Sequence, residues 1–217
     1  MKIVNPIAYE DYHMHTSTFS DGIPTLNELV IYAGKIGLKK IAITDHCQAS
    51  ADFYKYNMAP RVLVDRWSNV HNDVEVIFGI EGDILDDNGN MSKDLQGIHG
   101  KVLIASLHPE TYTGTNPTKA YIEAMKNNTI SFIGHPCAKY FASNVDVIEL
   151  TRAANDLNIP LEVNGASLMN NRTNLAKLDT LLEHANRIII NSDAHTLYEL
   201  KKVREFALDY LFHHGFI

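Results

Sequence analysis

Apolar runs of strand length alternate with amphipathic segments of helix length along the chain. Strand-like runs fall at 9–13, 38–44, 74–80, 102–107, 130–133, 161–163 and 187–190, and helical spacing predicts helices over 24–33, 61–71, 118–127, 145–157, 175–185 and 197–211. Thr25 precedes Glu28 by three residues and makes a capping box for the first helix, which Gly37 closes. Pro160 stops the helix over 145–157. Residues 48–60 read as a polar, aromatic-rich loop, and 82–100 as a turn-rich loop or short hairpin around Asp86-Asp87-Asn88-Gly89-Asn90. Seven strands, all but the third followed by a helix, predict an α/β fold: a parallel (β/α) barrel of seven or eight strands, in a single domain over 1–217.

Composition narrows the class without changing the fold. With 45% apolar and 21% charged residues in 217, the chain suits an ordinary globular domain with a full core. No apolar stretch approaches the roughly 20 residues that span a bilayer. Residues 1–5 carry neither an apolar signal core nor a small-residue cleavage site, so a cytoplasmic protein is expected. Cys47 and Cys137 form no CxxC pair and no disulfide framework. A net charge of -7 argues against a broad basic surface for extended nucleic acid, although bound cations would turn the local field positive.

The eleven histidines matter through their positions. In His13-Met14-His15 two imidazoles one residue apart on extended backbone point to the same side and can reach one ion. His46, Glu81, His108, His135, Asp193 and His195 likewise fall at or just after the C-terminal end of a predicted strand. Parallel strands bring those ends to one rim, where barrels place their chemistry. Mixed imidazole and carboxylate ligation suits Zn, Mn or Fe better than Mg, which prefers oxygen.

In order along the chain, His13-x-His15 with Asp21-Gly22, Thr44-Asp45-His46, Gly79-Ile80-Glu81, Ser106-Leu107-His108, Gly134-His135-Pro136, Leu161-Glu162-Val163-Asn164 and Ser192-Asp193-Ala194-His195 form a set that resembles the PHP (polymerase and histidinol phosphatase) domain family. The resemblance covers nearly the whole chain. It implies a distorted TIM-like (β/α)7 barrel that holds two to three divalent ions and hydrolyses phosphate esters. By the family pattern His13, His15, Glu81 and Asp193 would hold a first ion, Glu81 bridging to a second held by His108 and His135, with Asp21, His46 and His195 around a third. Glu81, Asp193 and His195 would be the catalytic set, with a hydroxide shared between two ions as nucleophile. A phosphatase for a small, histidinol phosphate-like monoester is the leading expectation. A phosphodiesterase or short-oligonucleotide 5′–3′ exonuclease of the same family, and a non-catalytic metal-binding module, are the alternatives. TatD-like metal nucleases share part of the order, but Asp21, His46 and His195 favour the PHP reading.

Around that set, Asp11 and Asp45 sit where a carboxylate could orient a ligand imidazole, or simply end a strand. Asn164 and Arg172 are the best candidates to touch substrate phosphate or leaving group, since Arg offers a bidentate fork; Arg61 and Lys139 are weaker. Phe53, Tyr54 and Tyr56 suggest a lid over the substrate mouth, whereas Trp67 reads as helix packing. His71, His99, His184, His213 and His214 read as surface or capping residues, and the two cysteines as small packing residues.

Overall fold

The strands alternate apolar residues between two environments, and that alternation builds the barrel. The structure, a computed structural model, describes residues 1–56, 61–142 and 144–217. Its strands are β1 (Lys2–Ile3), β2 (Glu10–Asp11), β3 (Lys40–Ile43), β4 (Glu75–Ile84), β5 (Met91–Ser92), β6 (Val102–Ser106), β7 (Phe132–Ile133), β8 (Leu161–Asn164) and β9 (Arg187–Asn191). They form one curled sheet in the order β1-β9-β8-β7-β6-β4-β3-β2, parallel throughout, with the short β5 antiparallel on β4.

Ala42, Val102, Ile104, Phe132 and Ile189 share one buried cluster with Ile77 and Tyr12, drawn from strands all around the sheet. Their neighbours in sequence pack the other way: Ile41 and Ile43 join the first helix, while Ala105, Ile133, Leu161, Val163, Ile188 and Ile190 join the larger outer core. The period-two pleat thus divides each strand between barrel interior and helical jacket. The jacket comprises α1 (Leu26–Lys35), α2 (Gln48–Tyr54), α3 (Pro117–Asn127), α4 (Lys139–Ala142), α5 (Val147–Asp156), α6 (Gly165–Met169), α7 (Leu175–His184) and α8 (Leu197–His213). The expected capping box opens α1, with Thr25 accepting from the Glu28 amide and the Glu28 carboxylate accepting from the Thr25 amide. α5 buries Val147, Leu150, Thr151 and Ala154 at helical spacing.

Two features depart from a regular barrel. β1 occupies the lower edge of β9, and the chain just past β2 occupies the upper edge: Asp193 N donates to His13 O at 2.8 Å, His15 N to Ala194 O at 2.9 Å, and Met14 bridges Ala194. Between those levels side chains replace the ladder. Asn191 Oδ1 accepts from Tyr12 N (3.0 Å) and Asp11 Oδ1 from Ser192 N (3.1 Å). Helical order also differs from expectation. α2 forms within the segment expected as a loop, and the helix expected over 61–71 is a 3-10 turn over Arg61–Arg66. Residues 57–60 of that loop lie outside the described residues.

Candidate metal centre

Each polar side chain of the expected set arrives at the rim by a specific local device. His13 and His15 lie just past β2 with Met14 between them turned into the α1 core, so the two rings face inward together. Glu81 and Asp83 are two residues apart on β4, on the inward side of the pleat. His46 follows β3 and pairs with Glu81 through an isolated parallel bridge. His108, His135 and His195 follow β6, β7 and β9. His135 (φ +30°) and Asp193 (φ +53°) adopt left-handed backbone, a conformation that costs non-glycine residues and turns their side chains back over the barrel mouth. Asp21 is carried by the loop before α1. That loop lies so close to the His15 carbonyl that a Cβ at Gly22 would come within 2.3 Å of its oxygen.

The result is a nest of imidazoles around one carboxylate. Glu81 Oε1 faces His135 Nε2 at 2.9 Å, His13 Nε2 at 3.4 Å and His108 Nε2 at 3.5 Å, while Oε2 faces His46 Nδ1 at 3.1 Å and His15 Nε2 at 3.4 Å. Asp193 Oδ1 reaches His13 Nε2 (3.4 Å) and His15 Nε2 (3.3 Å). Asp21 Oδ1 reaches His46 Nε2 (3.5 Å) and His195 Nε2 (3.4 Å). Ligand-capable atoms of His13, His15 and Glu81, of His46, Glu81 and His108, and of His15, Asp21, His46 and His195 gather tightly enough to surround an ion. His15 and His46 each belong to two of these groups, so the centre is one continuous cluster.

The donor set fits divalent cations. His13 Nε2, both ring nitrogens of His15, and His46 Nδ1 are buried without a hydrogen-bond partner, an arrangement that native interiors avoid unless something else satisfies the atoms. Three rings of the cluster are held through Nδ1. Glu162 Oε1 accepts from His13 Nδ1 (2.9 Å), Asp83 Oδ1 from His108 Nδ1 (2.7 Å), and the Asp193 carbonyl lies 3.1 Å from His195 Nδ1. Such partners fix the ring so that its other nitrogen presents a lone pair inward.

Protonation tells the same story for the ion-free cluster. Burial opposes charge everywhere, yet the facing His13 and His108 rings hold the Glu81 carboxyl well below the usual carboxylate range. Against burial, Glu162, Asp193 and Glu81 raise His13, and Glu81 and Asp83 push His108 up to about 10. His15 goes the other way: burial and the neighbouring His195 and His46 lower it to about 4. Without ions the acids are balanced by protons on His13, His46, His108 and His195, which divalent cations would displace.

The residues expected to touch substrate separate here. Arg172 is exposed and lines the cavity above the cluster with Glu110, Tyr54, Tyr140, Ser50 and Ser167; this cavity measures about 260 Å³. Lys139 does not line it, because its ammonium turns away to donate to Asn171 Oδ1 (2.8 Å). Asn164 lies beneath the acids, its amide nitrogen donating to Glu162 (3.1 Å) and Asp193 (3.0 Å) and its oxygen capping α6. The Arg61 side chain lies outside the described residues.

Asp11 holds the His13 and Ser192 amides and pairs with Arg204 (3.2 Å), and Asp45 holds the Thr16 amide (2.6 Å) and hydroxyl (2.8 Å). Glu162 and Asp83 hold the rings in their place. The signals were an acid inside the apolar strand 161–163 and a second acid two residues after Glu81. Of the aromatic trio, Phe53 and Tyr54 ride on α2, and Tyr54 stacks on Tyr56 at 5.5 Å, which in turn stacks on His46 at 6.4 Å. Trp67, which lies beyond the 3-10 helix, packs on Phe78 of β4 and against the α1 cluster, Cys47 and Cys137 are buried, and the five histidines assigned to the surface are exposed.

A curled parallel sheet with a cluster of imidazoles and carboxylates at its C-terminal mouth defines a metal-binding α/β barrel. The chain belongs to the PHP domain family, whose sequence profile matches residues 11–194. It is 30% identical over 212 residues to a probable phosphatase of Clostridium novyi (strain NT), covering 88% of this chain and 80% of the relative. A probable phosphatase of Thermoanaerobacter sp. (strain X514) is 29% identical over 210 residues, 90% of this chain and 82% of that one. Among solved structures, histidinol phosphate phosphatase from Lactococcus lactis, complexed with zinc, L-histidinol and phosphate, aligns with a TM-score of 0.54 at 17% identity over 92% of this chain and 94% of that one. The putative histidinol phosphatase of Listeria monocytogenes gives 0.56 at 16% over 91% and 99%. At those identities the structures show a shared fold.

Proposed function

We propose that the chain is a metal-dependent phosphatase acting on a small phosphate monoester. The observation that carries this reading is Glu81 at the floor of a small cavity, facing five imidazoles, with Arg172 the only lysine or arginine among the described lining residues. His13, His15, Glu81 and Asp193 would hold one ion, Glu81, His108 and His135 a second, and Asp21, His46 and His195 a third. Zinc, manganese or iron suits that donor set. Ions held there would neutralise the phosphoryl oxygens and make hydroxide available near neutral pH.

The chain's own residues do the rest. The Arg172 guanidinium, on the exposed wall, orients the phosphate. The half-buried, cavity-lining His195 sits nearest solvent among the imidazoles. Burial opposes its protonation, but Asp21 and Asp193 push its pKa up to about 9. When the third set holds no ion, His195 Nε2, beside Asp21 at the cavity wall, is the group placed to give a proton to the leaving oxygen. A cavity of about 260 Å³ suits a compact monoester better than an extended strand. The names of the two bacterial relatives support phosphatase chemistry, and the ligands of the Lactococcus protein put amino-alcohol phosphates on the panel to test.

The test is turnover by the full chain, loaded in turn with Zn, Mn and Fe, on an aryl phosphate, an aryl phosphodiester, histidinol phosphate and a short oligonucleotide. Release of phosphate from monoesters alone is the expected result. Preferential cleavage of the diester or oligonucleotide would replace this reading with a nuclease, and full metal occupancy without turnover would leave a binding module.

A further inference from the structure

Glu162 has no place in the expected ligand set, yet its buried carboxylate accepts four hydrogen bonds from around the barrel. Oε1 takes His13 Nδ1 (2.9 Å) and Asn191 Nδ2 (2.9 Å), and Oε2 takes the His135 amide (2.9 Å) and Asn164 Nδ2 (3.1 Å). It therefore joins the chain past β2, the turn after β7, and strands β8 and β9 directly beneath the cluster. We infer that Glu162 is a positioning residue of the metal centre: it fixes His13 as the tautomer protonated on Nδ1, so that Nε2 faces the ions, and it anchors the left-handed His135 backbone. The inference rests on the metal-centre reading above.

The donors leave no alternative arrangement. The His135 amide can only donate. The Asn164 nitrogen is committed toward Glu162 and Asp193 because its oxygen accepts from the Ser167 amide (2.9 Å). The Asn191 nitrogen is committed because its oxygen accepts from the Tyr12 amide (3.0 Å). Every group that faces Glu162 therefore needs an acceptor on both oxygens. A glutamine at this position has the same size and one oxygen too few. Turned one way, its NH2 meets the His135 and Asn164 donors. Turned the other way, it meets Asn191 and asks His13 Nδ1 to accept, which would put the His13 proton on Nε2, toward Glu81 and Asp193.

Two measurements on the full chain test this. In the zinc-loaded wild type, 15N-detected imidazole NMR should show His13 with a protected, hydrogen-bonded Nδ1–H and its Nε2 on the metal. Coordination through Nδ1, or a freely exchanging Nδ1–H, would overturn the inference without any variant. In Glu162→Gln, titration with Co2+ followed by its visible absorption should show about 10- to 100-fold weaker binding than wild type and loss of the protected His13 resonance. Unchanged affinity together with an unchanged resonance would also overturn it. Failure of the wild type to bind Co2+ or Zn2+ at all would instead sink the metal-centre reading.

Discussion

At the scale of single residues, the cavity pairs one flexible cation with a rigid bed of acids and imidazoles. Arg172 is exposed and joins the rim through its backbone, its amide donating to Ser167 O and its carbonyl accepting from Lys139 N. The bed below is buried and held by hydrogen bonds. Removing the Arg172 side chain should therefore leave the centre intact while loosening the grip on phosphate. A charge-assisted hydrogen bond contributes about 1.5–3 kcal/mol, so Arg172→Ala should raise KM on the order of 10- to 100-fold while kcat changes little. If steady-state kinetics on the best monoester show neither constant moving, Arg172 is a solvated surface residue. The ring-bearing residues were legible in the sequence because strand ends mark the rim, whereas their supports were not. Glu162 and Asp83 sit within strands, where an inward acid and an outward one look alike until the pleat is known. Lys139 misled for the related reason that closeness in sequence to His135 says nothing about which way a side chain on α4 turns.

At the scale of elements, short connections shape the site more than the regular strands do. The loop carrying Asp21 comes near His46 and His195 because Gly22 lets its backbone lie against His15. Gly22→Ala would push a methyl to 2.3 Å from the His15 carbonyl oxygen, and the loop is the part free to yield. The expected outcome is loss of the third ion with the other two retained, read as metal per chain by elemental analysis. Overpacking should cost about 1–3 kcal/mol of stability in denaturant unfolding. Three ions still bound in the folded variant would show that Asp21 is dispensable. The alternation of strands and helices predicted the barrel because each element carries its own period. α2 was missed because seven residues rich in polar and aromatic side chains give little helical signal, and its helix forms against Glu81 and Asp94 through Cys47 N and Gln48 N. The left-handed backbone of His135 and Asp193 left no mark in the residue types, since tertiary contacts impose it.

At the scale of the whole molecule, the barrel seam and the metal centre are the same place. The edge between β2 and β9 is stitched by Asp193 N to His13 O and His15 N to Ala194 O, so the residues that would hold the first ion also close the sheet. Bound ions should therefore stabilise the entire fold. Ligand at about a thousand times its dissociation constant adds about 4 kcal/mol, which for a chain of this size corresponds to a Tm shift on the order of 10 °C. The dependence on pH has a definite sign. In the ion-free chain, against burial, Glu81 and Asp83 raise His108 to about 10, and Asp21 and Asp193 raise His195 to about 9. A raised folded-state pKa contributes stability that is complete below the unfolded value near 6.5 and disappears as pH climbs through the folded one. His15, lowered to about 4, contributes nothing further above pH 7. Ion binding runs the opposite way, because it displaces those same protons and strengthens as pH rises. The Tm difference between metal-loaded and EDTA-stripped protein should consequently widen from pH 7 to pH 9. A difference that stays flat or narrows across that range, measured by calorimetry at fixed free metal, would mean that the imidazoles carry no protons in the ion-free state and that carboxylates alone govern the seam.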